Sequence, residues 1–317
     1  MRTAHEPDPS KTFISRRQFL AATAVLGSGP LWSWPAFAAM PYTFHQGNFE
    51  ILVVSDGELT LPASLLAPDA PPEELQALLA TIGQGPEQVI APTNPVVIRS
   101  GEDIILVDNG SGNKFQPAAG KLVENLRAAG IEPENVSKLV FSHAHPDHIW
   151  GTLKDDGALA FQNATYYINS AEWDFWMDPD ILTKMPQELH DFARGAQRDL
   201  AAAKDHAVMI NPGEDIVTGI TVLDTAGHTP GHISLEVAGD DGLIIVADAI
   251  THQAVFFAHP EWRSGFDAIH DLAAQNRRAL LERAATDKTR LLGFHWLYPG
   301  IGYAERKDDA YRFVSMT

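Results

Sequence analysis

Three histidines and an aspartate fall within the six residues His143-Ala144-His145-Pro146-Asp147-His148, directly after the strand-like run Lys138 to Phe141. In an extended segment side chains alternate faces, so His143 and His145 point the same way and can grip one cation. Pro146 then turns the chain and brings Asp147 and His148 round towards a second. Neutral imidazole together with carboxylate suits zinc or another first-row metal. A histidine-rich surface loop would account for two such residues, but not for matching ligands that recur downstream in order.

Those ligands come in three places. Thr225-Ala226-Gly227-His228-Thr229-Pro230-Gly231-His232 follows the run Ile220 to Leu223, Asp248 closes the run Leu243 to Ala247, and His295 comes just after Arg290 to Gly293. Every candidate lies at the carboxyl end of a strand, where loops converge on a rigid frame. The pattern H-x-H-x-D-H, then a later His, an Asp and a final His, resembles the metallo-β-lactamase superfamily of binuclear metal hydrolases across nearly the whole of residues 39–317.

That resemblance implies a division of labour. His143, His145 and His228 would hold one divalent metal, Asp147, His148 and His295 the second, and Asp248 would bridge them. Zinc is the first expectation, with manganese, iron and cobalt as alternatives. The chemistry of such a pair is hydrolysis by a hydroxide shared between the ions, one of which polarises the scissile carbonyl or phosphoryl oxygen. Asp147 or Asp248 can also pass a proton to the leaving group.

The elements that must position these residues follow from the pattern of apolar runs and breakers. Phe49 to Val54 and Glu58 to Leu61, across Asp56-Gly57, predict a hairpin, and Pro95 to Arg99 with Ile104 to Val107 predict a second across Gly101-Glu102. Helices are expected from Pro71, over Lys121 to Ala129, around Ser170 to Met177, over Pro186 to Lys204 and over Asp267 to Ala285. Further strands are expected at Thr165, Val208, Ile220, Ile233, Leu243 and Arg290. Strands with interspersed helices predict an α+β protein of two face-to-face sheets with helices outside, which is also the αββα four-layer sandwich that the resemblance implies.

Residues 1–38 read as a twin-arginine export signal. They carry Ser15-Arg16-Arg17-Gln18-Phe19-Leu20, a modestly apolar run to Leu26 and small residues at Ala36-Phe37-Ala38. Gly27, Gly29 and Pro30 break that run short of the about 20 apolar residues a membrane span needs. A periplasmic or secreted domain over residues 39–317 is therefore expected. Removing the segment's net +2 from the −18 of the whole chain leaves −20, a surface that repels nucleic acid and anionic lipid. With no cysteine, the fold must rest on its core, and thiolate ligation is excluded.

Substrate class is read from what is missing as much as from what is present. No basic cluster adjoins the motifs, as a glutathione thiolester would require, so a small, neutral, apolar substrate is expected. Trp176, Phe192 and His252 are the candidate substrate-facing residues. The stretches from Asp248 to Phe257, Pro260 to Trp262, Gly265 to Asp267 and Gly293 to His295 resemble the methyl-parathion hydrolase and lactonase branch. A lactone or aryl ester hydrolase is the main expectation, with organophosphate triesters as a side activity. An organophosphate hydrolase, an acyl-homoserine-lactone lactonase and a non-enzymatic periplasmic metal-binding protein are the alternatives. The acyl-homoserine-lactone lactonases carry a tyrosine three residues after the bridging Asp, where this chain has Thr251. The resemblance also suggests a homodimer.

Overall fold

The computed structural model describes residues 41–317, so the export segment read at residues 1–38 lies outside them. Two seven-stranded sheets dominate. The first runs Tyr42–Gln46, Phe49–Val53, Val96–Ser100, Asp103–Val107, Lys138–Val140, Thr165–Asn169, Ala207–Ile210 across its width. The second follows chain order from Asp215–Val217 through Ile220–Asp224, Ile233–Val237, Leu243–Ala247, Arg290–Gly293 and Ile301–Lys307 to Ala310–Ser315.

Alternation along the strands explains how the sheets stack. Ile51, Val53, Val96, Ile98, Ile105 and Val107 face inwards and meet Val222, Leu235 and Ile245 of the second sheet in one buried cluster. Their neighbours Leu52, Val97 and Leu106 face outwards and are covered by Leu126 of the helix Leu122–Ala128 and by Ala193, Ala196 and Leu200 of the helix His190–Ala203. On the far side Ile244, Val246 and Leu291 are covered by Leu280, Leu281 and Ala284 of the helix His270–Asp287. The layers are helix, sheet, sheet, helix, as the sequence predicts. No described helix is long and apolar enough to cross a membrane.

One expected pairing is wrong. Phe49–Val53 pairs with Tyr42–Gln46 and Val96–Ser100, while Gly57–Pro62 leaves the sheet and pairs with Gln88–Thr93 in a separate ribbon. The cause is Asp56, which is fully buried and accepts hydrogen bonds from the backbone N–H groups of Ser111, Gly120 and Leu122 and from the Ser111 hydroxyl. Gly57 follows at φ 113°, so close to the carbonyl of Ala118 that a Cβ would come within 2.1 Å of it. Asp56-Gly57 is thus a fastening point between loops rather than a hairpin turn.

Parallel neighbours decide where the site forms. Asp103–Val107, Lys138–Val140 and Thr165–Asn169 run parallel, as do Leu243–Ala247 and Arg290–Gly293. Parallel strands deliver their carboxyl ends, and the loops that follow, to one edge of each sheet.

Candidate metal centre

At that edge the chain gathers all seven expected ligands. After Lys138–Val140 the chain bends at Ser142, passes His145 in an extended conformation and then closes into the short helix Pro146–Ile149, with Pro146 in its first turn. His143 Nε2 lies 3.0 Å from His145 Nδ1, which lies 3.0 Å from His228 Nε2. Asp147, His148 and His295 form a second group, with His295 Nε2 3.2 Å and His148 Nε2 3.5 Å from Asp147 Oδ2. Asp248 touches both groups. Its Oδ2 lies 3.3 Å from His228 Nε2 and 3.4 Å from His295 Nε2, and its Oδ1 lies 3.4 Å from His148 Nε2. Ala247 adopts φ 45° just before it, a strained conformation that turns the chain out of the strand and into the cluster.

Four of the five rings are aimed by a contact at the nitrogen facing away from the cluster. His143 Nδ1 meets the Ser142 hydroxyl, His148 Nδ1 meets Asp108, His228 Nδ1 meets Asp267, and His295 Nδ1 donates to the carbonyl of Pro92. Such outer contacts set the tautomer and orientation of a metal-binding imidazole. Asp108 itself accepts from the amide and hydroxyl of Ser142, so one carboxylate fixes both ends of the motif. Asp267 is paired in turn with Arg277 at 2.9 Å, and both are fully buried or nearly so.

The electrostatics fit a cation. Burial opposes charge on His148, yet the carboxylates of Asp248, Asp147 and Asp108 hold its pKa well above the usual imidazole value. Burial likewise loses to Asp248 and Asp147 at His295, which is pushed up to about 10. Burial, and then the neighbouring rings, hold His143 and His145 well below that value. Buried Asp248 is drawn well below the carboxylate range by His295 and His148. Asp147 Oδ2, His148 Nε2 and Asp248 Oδ1 are buried with no hydrogen bond of good geometry among the described residues. A divalent ion would satisfy all three, and hard carboxylate with borderline imidazole is a donor set for zinc or its neighbours.

His232, which the sequence leaves in a turn, has a part of its own. It is fully buried, its Nε2 accepts from the backbone N–H of Asp248 at 3.1 Å, and its Nδ1 meets the Thr225 hydroxyl at 2.8 Å. Both nitrogens are thus engaged away from the cluster. His232→Ala is expected to retain a metal complement while lowering affinity about 10- to 100-fold, as loss of an outer contact does. Complete loss of metal on elemental analysis would make His232 a ligand and overturn this placement.

Glu172 is another residue that spacing did not reveal. Fully buried, it accepts from the Ala144 amide and Trp176 Nε1 through one oxygen and from the Thr229 hydroxyl and Gly231 amide through the other. It therefore ties the His143 loop to the His228 loop. Gly231 allows the approach, since a Cβ there would come within 2.0 Å of the Glu172 amide nitrogen.

In front of the cluster is an apolar cavity walled by Leu59, Leu61, Leu66, Phe115, Phe192 and Phe266, and no lysine or arginine among the described residues lines it. A second recess reaches back between Phe192 and Phe266 to Trp176, Met185 and Leu189. Of the expected substrate-facing residues, His252 and Phe192 line the front cavity, whereas Trp176 lines only the rear recess. Trp176 is 1% exposed with its indole N–H bound to Glu172 at 2.6 Å, so it supports the metal loops as well as the recess. Burial, and then His295, lower the pKa of His252 to about 4.

Residues 90–295 match the family model for the metallo-beta-lactamase superfamily. The N-acyl homoserine lactonase of Bacillus sp is 25% identical over 169 residues, which cover 53% of this chain and 59% of the lactonase, little more than half of that curated relative. AidC, a dizinc quorum-quenching lactonase solved with a product, superposes with TM-score 0.82 at 26% identity, covering 87% of this chain and 97% of AidC. AbOPH, a hydrolase in the beta lactamase superfamily, superposes with TM-score 0.81 at 28% identity, covering 88% of this chain and 98% of AbOPH. With the ligand order, the fold and a matched span of well over half its length in agreement, the chain belongs to the metallo-beta-lactamase superfamily.

Proposed function

We propose that the protein is a metal-dependent hydrolase of neutral, apolar lactones and aryl esters, with organophosphate triesters as slower substrates. The observation that carries this reading is the position of the seven-ligand cluster at the end of a cavity that offers apolar walls and no cationic side chain. Divalent metal held by His143, His145, Asp147, His148, His228, Asp248 and His295 would supply an acidified water and a Lewis acid for a carbonyl or phosphoryl oxygen. The protein's own residues do the rest. Phe115, Phe192 and Phe266 hold the apolar body of the substrate and keep bulk water out, and a charged substrate would lose its hydration with no counter-ion to replace it. Asp147 and Asp248, both lining the cavity, would take a proton from water and return it to the leaving oxygen.

Acyl-homoserine lactones are the second reading, favoured by the similarity to the Bacillus lactonase and to AidC. Their acyl chain would enter the recess behind Phe192. A panel of aromatic lactones, aryl esters, acyl-homoserine lactones, methyl parathion and a β-lactam, assayed on metal-replete protein, separates these readings. Aromatic lactones and aryl esters are expected to give the highest kcat/KM, about tenfold or more above methyl parathion. A phosphotriester turned over faster than every lactone and ester reverses the ranking, and metal-replete protein inert to the whole panel sinks the hydrolase reading in favour of a metal-binding role.

A further inference from the structure

The chain that follows Asp103–Val107 closes on itself, and the carboxylate that closes it belongs to neither ligand group. Buried Asp56 accepts through Oδ2 from the Ser111 amide at 3.0 Å and the Gly120 amide at 3.1 Å, and through Oδ1 from the Leu122 amide at 2.8 Å. Its backbone carbonyl also accepts from the Lys121 amide. Residues 111–122 are therefore an Ω-loop whose two ends meet on one side chain. Midway along it, Phe115 reaches the front cavity and packs edge-on against Trp150 and Phe192, with ring centroids 5.6 and 5.9 Å away. Two further ties stop the loop swinging about its ends. On one side Gln116 exchanges side-chain hydrogen bonds with the amide and carbonyl of Thr60, in the strand that carries Leu59 and Leu61 of the cavity wall. On the other, the Lys114 ammonium donates to the carbonyls of Trp150 and Leu153, although Phe115 beside it faces the cavity. The strand Gly57–Pro62 begins at the residue after Asp56, so one carboxylate fixes both Phe115 and the leucines next to it.

We propose that Asp56, with Lys114 as a second anchor, is a positioning residue for substrate specificity: it presets Phe115, and so favours esters and lactones with a broad aromatic group over small ones. The proposal rests on the hydrolase reading above. An aromatic wall fixed before binding costs the complex no ordering of loop or side chain, whereas an untied Phe115 has to be ordered by the substrate itself. Only a substrate broad enough to touch Phe115 has that contact to lose. Untying the loop therefore acts on KM for broad substrates and spares the chemical step, because the ligand cluster is held by other contacts.

The test compares phenyl acetate with 2-naphthyl acetate on the metal-loaded protein, using Asp56→Asn, Lys114→Met and Phe115→Ala, and Phe115→Ala combined with each of the other two. Asn keeps the size of the side chain but turns an amide N–H2 towards backbone donors. Asp56→Asn and Lys114→Met are each expected to raise KM for 2-naphthyl acetate about tenfold, with kcat for both esters and KM for phenyl acetate within about threefold of wild type. Metal content should match the wild type. Added to Phe115→Ala, either change should raise KM for 2-naphthyl acetate by less than about twofold, because residues that act through one contact are not additive, whereas a merely structural role adds in full. An unchanged KM for 2-naphthyl acetate in Asp56→Asn, equal losses on the two esters, or full additivity with Phe115→Ala overturns the proposal. If Asp56→Asn does not fold, Lys114→Met decides by the same criteria. If the wild type hydrolyses neither ester, that failure belongs to the hydrolase reading, and hydrogen exchange over residues 111–122 decides the anchor. Exchange about tenfold faster than wild type in the folded variant supports it, and wild-type exchange overturns it.

Discussion

Asp248→Ala is expected to abolish hydrolysis and to lower the metal content of the protein in the same step. Its two carboxylate oxygens reach His228 of one ligand group and His148 and His295 of the other, at 3.3 to 3.4 Å. Alanine removes the carboxylate that contacts both groups and that does most, against burial, to raise the pKa of His148 and His295. Loss of an outer contact costs about 10- to 100-fold in metal affinity, and loss of a shared inner ligand should exceed that. Activity should fall by at least about 1,000-fold, since the Lewis-acid and nucleophile contributions go together. Elemental analysis and a turnover assay on the same preparation check both parts. Two tightly held ions in Asp248→Ala would refute the bridging position.

Glu172→Ala should be nearly as damaging, but through the fold. The carboxylate answers four donors from three segments, and none of them can turn to water from a fully buried position. Burial raises the Glu172 pKa, and those four donors are what keep the ionised form tolerable there. Unpaired buried donors cost about 1–3 kcal/mol each, so with four of them a destabilisation of at least about 4 kcal/mol is expected. Because Ala144 lies between His143 and His145, and Thr229 adjoins His228, metal affinity should fall as well. Denaturant unfolding of the metal-free protein measures the first effect and metal titration the second. A variant that unfolds at the wild-type midpoint would show that the two loops hold their places without the clamp.

Much of this centre is legible in the bare chain. His143, His145, Asp147 and His148 are close neighbours, and alternation followed by Pro146 gives them two directions by local geometry alone. His228, Asp248 and His295 each end an apolar run, so topology can carry them to one edge without any contact being known. The layer order likewise follows from the period-two alternation of residues such as Ile51, Leu52 and Val53, which face opposite sides of their sheet.

What stayed hidden has a common physical character. Glu172, Asp267, Arg277 and His232 are single polar residues with no spacing to mark them, and each matters through partners far away in the chain. Asp56-Gly57 has the composition of a hairpin turn, yet Ser111, Gly120 and Leu122 converge on its carboxylate and send the next strand into a different ribbon. Trp176 has the composition of a substrate wall, but its N–H is bound to a buried carboxylate and its ring lines only the rear recess. Local order and alternation therefore pointed to the candidate ligands and to the layers of this protein, while the division of those ligands between two ions came from the family resemblance. Only the tertiary structure decided which buried donors and acceptors meet, because that depends on distance in space and leaves no period in the chain.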